Sequence, residues 1–143
     1  MKSGFQTALC TELKDKCDNI WIVTKPLKYW SAILDLLIIV PPWFETVTEV
    51  GPDMLFETDL ASVPRVPIIY DLWGNRAHRE AVLHDWLYRI DSVPVVSKSQ
   101  ADRVFLEAMG STGKPWYIRH IMYMGVVLGG GSSYHKKCVK DKL

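Results

Sequence analysis

A histidine beside one aspartate, with a second aspartate on a following helix, is a minimal set for base-assisted attack of water, and the chain carries it as His84, Asp85 and Asp102. A carboxylate that accepts one ring N–H of a histidine fixes the tautomer and stabilises the imidazolium formed when the other nitrogen takes a proton. His84 is then the base and Asp102 its orienting carboxylate. Asp85 projects about 100° around a helix from His84, where it could hold a divalent cation, calcium or another, beside the attacking water. The alternative stays open: a core histidine satisfied by a backbone carbonyl, an exposed Asp85, and an Asp102 favoured only by the helix dipole.

These groups meet only if helices carry them. From Asn75 onward Ala77, Ala81, His84 and Tyr88 recur on one side, flanked by Leu87, with Arg76, Arg79 and Arg89 pointing elsewhere. Asp91-Ser92-Val93-Pro94 ends that helix. Ser99-Gln100-Ala101-Asp102 has the form of a capping box opening a second one, which Gly110 closes. On it Asp102, Phe105, Leu106 and Met109 share a face, so the carboxylate heads an apolar stripe and needs a partner. The short connection predicts a helix hairpin that brings His84 and Asp102 together. A third helix is expected from Pro115 to Leu128, with Trp116, Tyr117, Tyr123 and the methionines in the core rather than on a lipid-binding face.

Upstream, the chain is rich in β-branched and aromatic residues, with Ile20 to Thr24 and Leu37 to Val40 as the clearest strands. Gly51-Pro52-Asp53 has the chemistry of a hairpin turn. The apolar stretch 33–44 contains Asp35 and two prolines and is too short to span a bilayer, so it reads as buried strand. The expected architecture is α+β: a small N-terminal antiparallel sheet packed on a C-terminal set of about three helices. One domain covers residues 1–143, β-rich over 1–60, a loop over 58–74, helical over 75–129, with a flexible basic tail over 130–143.

The 143 residues carry 17 basic and 16 acidic side chains, a formal charge of +1, which excludes recruitment of nucleic acid or an anionic membrane by bulk charge. Cys10, Cys17 and Cys138 match neither a disulfide framework nor a zinc site, and the N-terminus lacks a secretory pattern. A cytoplasm is the expected location.

The runs AVLHDWLYR and ADRVFLEAM resemble the core of the phospholipase A2 superfamily. That resemblance implies that His84 activates water, Asp85 binds calcium, Tyr88 braces the dyad and Asp102 orients the histidine. The glycine-rich calcium loop of that superfamily is absent; Ile68 to Trp73 stands in its region. Over most of its length the chain is also similar to a family from tailed phages and prophages, marked by the block FETDLASVPR at 56–65 followed by HDWLY at 84–88. This likeness implies a viral origin and a location in host cytoplasm or virion. Within the first block Asp59 offers a second carboxylate for a cation, Ser62 a hydroxyl, and Arg65 a positive group for an anionic substrate or oxyanion. Alternatively the block is a local Asx or Ser turn ahead of Pro64.

Two functions are therefore expected to compete. One is a phage-encoded hydrolase, acting on an ester or related bond of host lipid or cell wall. The other is a non-catalytic virion, tail or assembly component, bound to other phage structural proteins, in which the polar cluster only pins elements together. The enzyme should present His84 and Asp85 at the floor of an open cleft; the structural component should seal them.

Overall fold

A computed structural model describes residues 2–13, 21–42, 57–58, 78–89 and 92–129. The fold is α+β, as expected. Among the described residues the strands are β1 (Gly4–Phe5), β2 (Thr11–Leu13), β3 (Trp21–Val23), β4 (Leu27–Ser31), β5 (Leu36–Val40) and β6 (Glu57–Thr58), followed by helices α1 (His78–Tyr88), α2 (Lys98–Ser111) and α3 (Trp116–Gly129). The strands form two antiparallel sheets, in the orders β1-β4-β5 and β2-β3-β6.

The β4–β5 hairpin follows from strict alternation. Leu27, Tyr29 and Ser31 point inward opposite Val40, Ile38 and Leu36, while Leu37 and Ile39 face outward. Over its described part, residues 33–42, the apolar stretch 33–44 is therefore not the buried strand the sequence suggested. Ile33 and Asp35 belong to the turn, Asp35 with φ of 52°, and Leu37 and Ile39 are exposed. The turn is held from a distance by Glu107 of α2, whose carboxylate accepts hydrogen bonds from Ser31 Oγ at 2.8 Å, Ser3 Oγ at 2.6 Å, and the backbone N–H groups of Ala32 and Ile33 at 2.9 and 3.1 Å. Burial and the Glu107 charge together push the Tyr29 hydroxyl pKa well up.

Helix α1 was expected to be amphipathic, yet every residue from Glu80 to Arg89 is buried. It is enclosed rather than laid on a surface, so Arg89, expected to point away, is covered as well. Val82, Leu83 and Leu87 join Leu27, Ile38 and Val40 of the sheet and Ala101, Val104 and Ala108 of α2 in one core. Burial of each such Leu is worth about 1.5–3 kcal/mol. Phe105 and Met109 of α2 form a second core with Ile118, Met122 and Val126 of α3. Helix α2 thus lies between the sheet and α1 on one side and α3 on the other.

The boundaries of α2 correct two readings. Its N-cap is Ser97, which accepts from the Gln100 N–H while Gln100 Oε1 accepts from the Ser97 N–H. The capping box therefore sits two residues earlier than the Ser99 pattern implied, and Asp102 is released from capping. Gly110 does not close the helix either. The chain turns at Thr112 and Gly113, the latter with φ of +80°, while at Gly110 an added Cβ would stand 2.8 Å from Arg119 Nη1 of α3. Beyond the turn, Lys114 forms a buried ion pair with Glu80 of α1, to which Thr112 Oγ1 also donates.

The aromatic start of α3 departs from expectation too: Trp116 is 68% and Tyr117 51% exposed. The 51–53 turn, the 59–74 part of the loop, the 130–143 tail, Cys17, Cys138 and His135 lie outside the described residues. Cys10 is free.

Candidate functional site

Ser97 fixes where α2 begins, and this sets Asp102 in its second turn, on the side that meets α1. His84 sits opposite, in the middle of α1. His84 Nε2 lies 2.8 Å from Asp102 Oδ1, and Tyr88 Oη, one helical turn further along α1, donates to the same oxygen at 2.5 Å. The second oxygen, Oδ2, accepts from Lys98 Nζ at 2.8 Å. Three donors thus converge on one carboxylate that is itself buried. Burial pushes the Asp102 carboxyl upward, but the hydrogen bonds from His84, Lys98 and Tyr88 outweigh it and hold its pKa below the ordinary value.

Because Asp102 is held as a carboxylate, the His84 nitrogen facing it carries the proton, and a neutral ring then leaves Nδ1 as a bare lone pair. Nδ1 is buried and has no hydrogen-bond partner among the described residues. The ring is clamped in place by Tyr88 and Phe105, with centroid separations of 4.0 and 4.8 Å. A fixed imidazole with one nitrogen anchored and the other without a partner among the described residues has the chemistry of a base, though Nδ1 is closed to solvent here.

The structure places Asp102 against His84, the meeting expected of the helix hairpin, and adds Tyr88, which only the phospholipase resemblance had singled out. Asp85 neighbours them but is 5% exposed and engaged in an interaction of its own, so neither the accessible carboxylate expected beside His84 nor the exposed one of the alternative reading is observed. Among the described residues no group of three or more His, Cys, Asp or Glu side chains could hold a metal. Asp59, Ser62 and Arg65 lie outside the described residues. His120 is exposed and its Nδ1–H donates to Trp116 O at 2.7 Å.

Lys98 was missed. Its ammonium also donates to the carbonyls of Val126 and Val127, each at 3.1 Å, and lies 5.9 Å from the Tyr88 ring centroid. A cation at those last-turn carbonyls is favoured by the α3 dipole. The side chain thus ties the end of α3 to the dyad. Its spacing of four residues before Asp102 was a readable helical pair; its bond to α3 was not readable without the fold.

Residues 21–126 match a family described as protein of unknown function (DUF1353), and the chain belongs to that family. No curated protein and no solved structure matches the chain.

Proposed function

We propose that this member of the DUF1353 family is a phage-encoded hydrolase, in which His84 acts as general base on an ester or related bond of host envelope material. The observation that carries this reading is the buried Nδ1 of His84, without a partner among the described residues, opposite a fully engaged Asp102. A histidine kept only for packing has both nitrogens satisfied; an orphaned one calls for a ligand or a reaction.

In the proposed reaction Nδ1 takes a proton from water as the water oxygen attacks the carbonyl carbon. The Asp102 carboxylate stabilises the imidazolium, and Tyr88 and Lys98 keep that carboxylate ionised and aimed. The imidazolium then returns its proton to the departing alkoxide, giving an alcohol and a carboxylic acid that ionises to solvent. The likeness of residues 81–109 to the phospholipase A2 superfamily supports a lipid ester, and the likeness of the 56–65 and 84–88 blocks to phage proteins supports an envelope target and a location in host cytoplasm or virion. Ser62 and Arg65 are proposed as substrate contacts. A cation is proposed only at Asp85 with Asp59; the described residues alone do not make a site for it, and no step above is routed through it.

The test is turnover by the full chain on glycerophospholipid vesicles and muropeptides in ¹⁸O-water, with and without added divalent cation or chelator. Label in a released carboxylate supports the reading. Failure to cleave anything across both panels, with or without cation, overturns it.

A second reading has its own observation. His84 and Asp85 are 2% and 5% exposed, the sealed arrangement of a structural cluster rather than the floor of an open cleft. In that reading the protein is a non-catalytic virion, tail or assembly component, and the array pins α1, α2 and the end of α3 together.

A further inference from the structure

One side chain, Phe105, links the ring of His84 to α3. It stacks on the imidazole with centroids 4.8 Å apart and in turn packs with Met109, Ile118, Met122 and Val126 in the second core. Both Phe105 and His84 are buried. A base enclosed in this way acts only if part of its cover moves.

Among the described residues α3 is the part of that cover least tied to the rest. Its buried residues are Ile118, Met122 and Val126; none of its residues enters the core that joins the sheet, α1 and α2. Its two ends are fastened unequally. Just before its first turn, Lys114 makes the buried pair with Glu80, and the Lys114 N–H donates to Met109 O at 3.1 Å. At the far end the fastening is Lys98, whose ammonium holds the Val126 and Val127 carbonyls. The Lys114 side chain is 6% exposed and that of Lys98 26%. Water competes for a partly exposed ammonium far better than for a buried one, so the far end yields first. Gly113, with φ of +80°, stands beside the fixed end. The bond from Lys98 to Asp102 lies within α2, so it survives a displacement of α3 and the dyad keeps its counter-charge.

We propose that α3 is a lid on the His84 dyad, hinged beside Gly113 and latched at its far end by Lys98, and that its lifting admits a small molecule to Nδ1. The proposal rests on the reading of Nδ1 as a base, though not on which bond is cleaved.

The experiment reads access rather than turnover. The full chain is treated with diethyl pyrocarbonate, which acylates a reachable, unprotonated imidazole nitrogen, and labelling of each histidine is followed by peptide mass spectrometry beside amide hydrogen exchange. Two variants loosen the lid by separate routes: Lys98→Met removes the latch, and Met122→Ala thins the packing under α3 with Lys98 in place. A thermal melt reports the folding of each. In the unaltered chain the amides of α3 should exchange at least tenfold faster than those of α1. His84 labelling should rise tenfold or more in the variants, while exposed His120 labels as before. Labelling of His84 that stays unchanged in a folded variant, or α3 amides that exchange no faster than those of α1, would overturn the lid. A chain that labels as expected but hydrolyses nothing keeps the lid and loses the hydrolase; one that hydrolyses while neither variant exposes His84 loses the lid alone.

Discussion

At the scale of the residue, Asp102 joins stability to chemistry. Its folded-state pKa lies below the ordinary 3.8, so the stabilisation it contributes is complete above that value and is lost as pH falls through the lower folded one. An acid titration of thermal stability should show this loss, and Asp102→Asn should flatten that limb of the curve. Asp102→Ala should cost roughly 3 kcal/mol by chemical denaturation, because His84 and Tyr88 are left as buried donors without an acceptor and Lys98 loses its counter-charge. Tyr88→Phe removes one hydrogen bond to a charged oxygen and should cost about 2 kcal/mol. An unchanged midpoint in Tyr88→Phe would mean that the Tyr88 hydroxyl does not stabilise the carboxylate.

At the scale of the element, α2 holds the molecule together. Its Ser97 cap sets the register, Asp102 faces α1, and Glu107, just over one turn later, clamps the β4–β5 turn. Ser97→Ala should destabilise by about 1 kcal/mol, and Gly113→Ala, at φ of +80°, by about 1 kcal/mol, both read from denaturation midpoints. The pairing of His84 with Asp102 was legible because helical periodicity and a short connection leave few ways to fold the hairpin. The true cap was not, because Ser97 and Ser99 each have a partner three residues on, Gln100 and Asp102, and only tertiary demand on Asp102 decides between them. Lys98 escaped for a related reason: its acceptors at Val126 and Val127 are backbone atoms far along the chain.

At the scale of the whole molecule, enclosure decides what periodicity cannot. Reading α1 as amphipathic found the inward His84 but misjudged Asp85 and Arg89, since from Glu80 onward the helix is enclosed on every side. The opposite error arose at α3, where the apolar spacing of Trp116 and Tyr117 suggested core, yet the helix has a neighbour on only one of its apolar faces among the described residues. An α+β architecture, with its sheet first and helices last, was readable from the change of period near residue 75; the two-residue strands β1 and β6 carry too little pattern to be read. The central claim is that the bare Nδ1 of His84 is a working base, and it is tested most directly by hydrolytic turnover of the full chain against His84→Ala, with folding of both checked by thermal melt. The account predicts cleavage of an envelope ester that falls roughly 100-fold or more in the variant; equal turnover in a folded His84→Ala protein would contradict it.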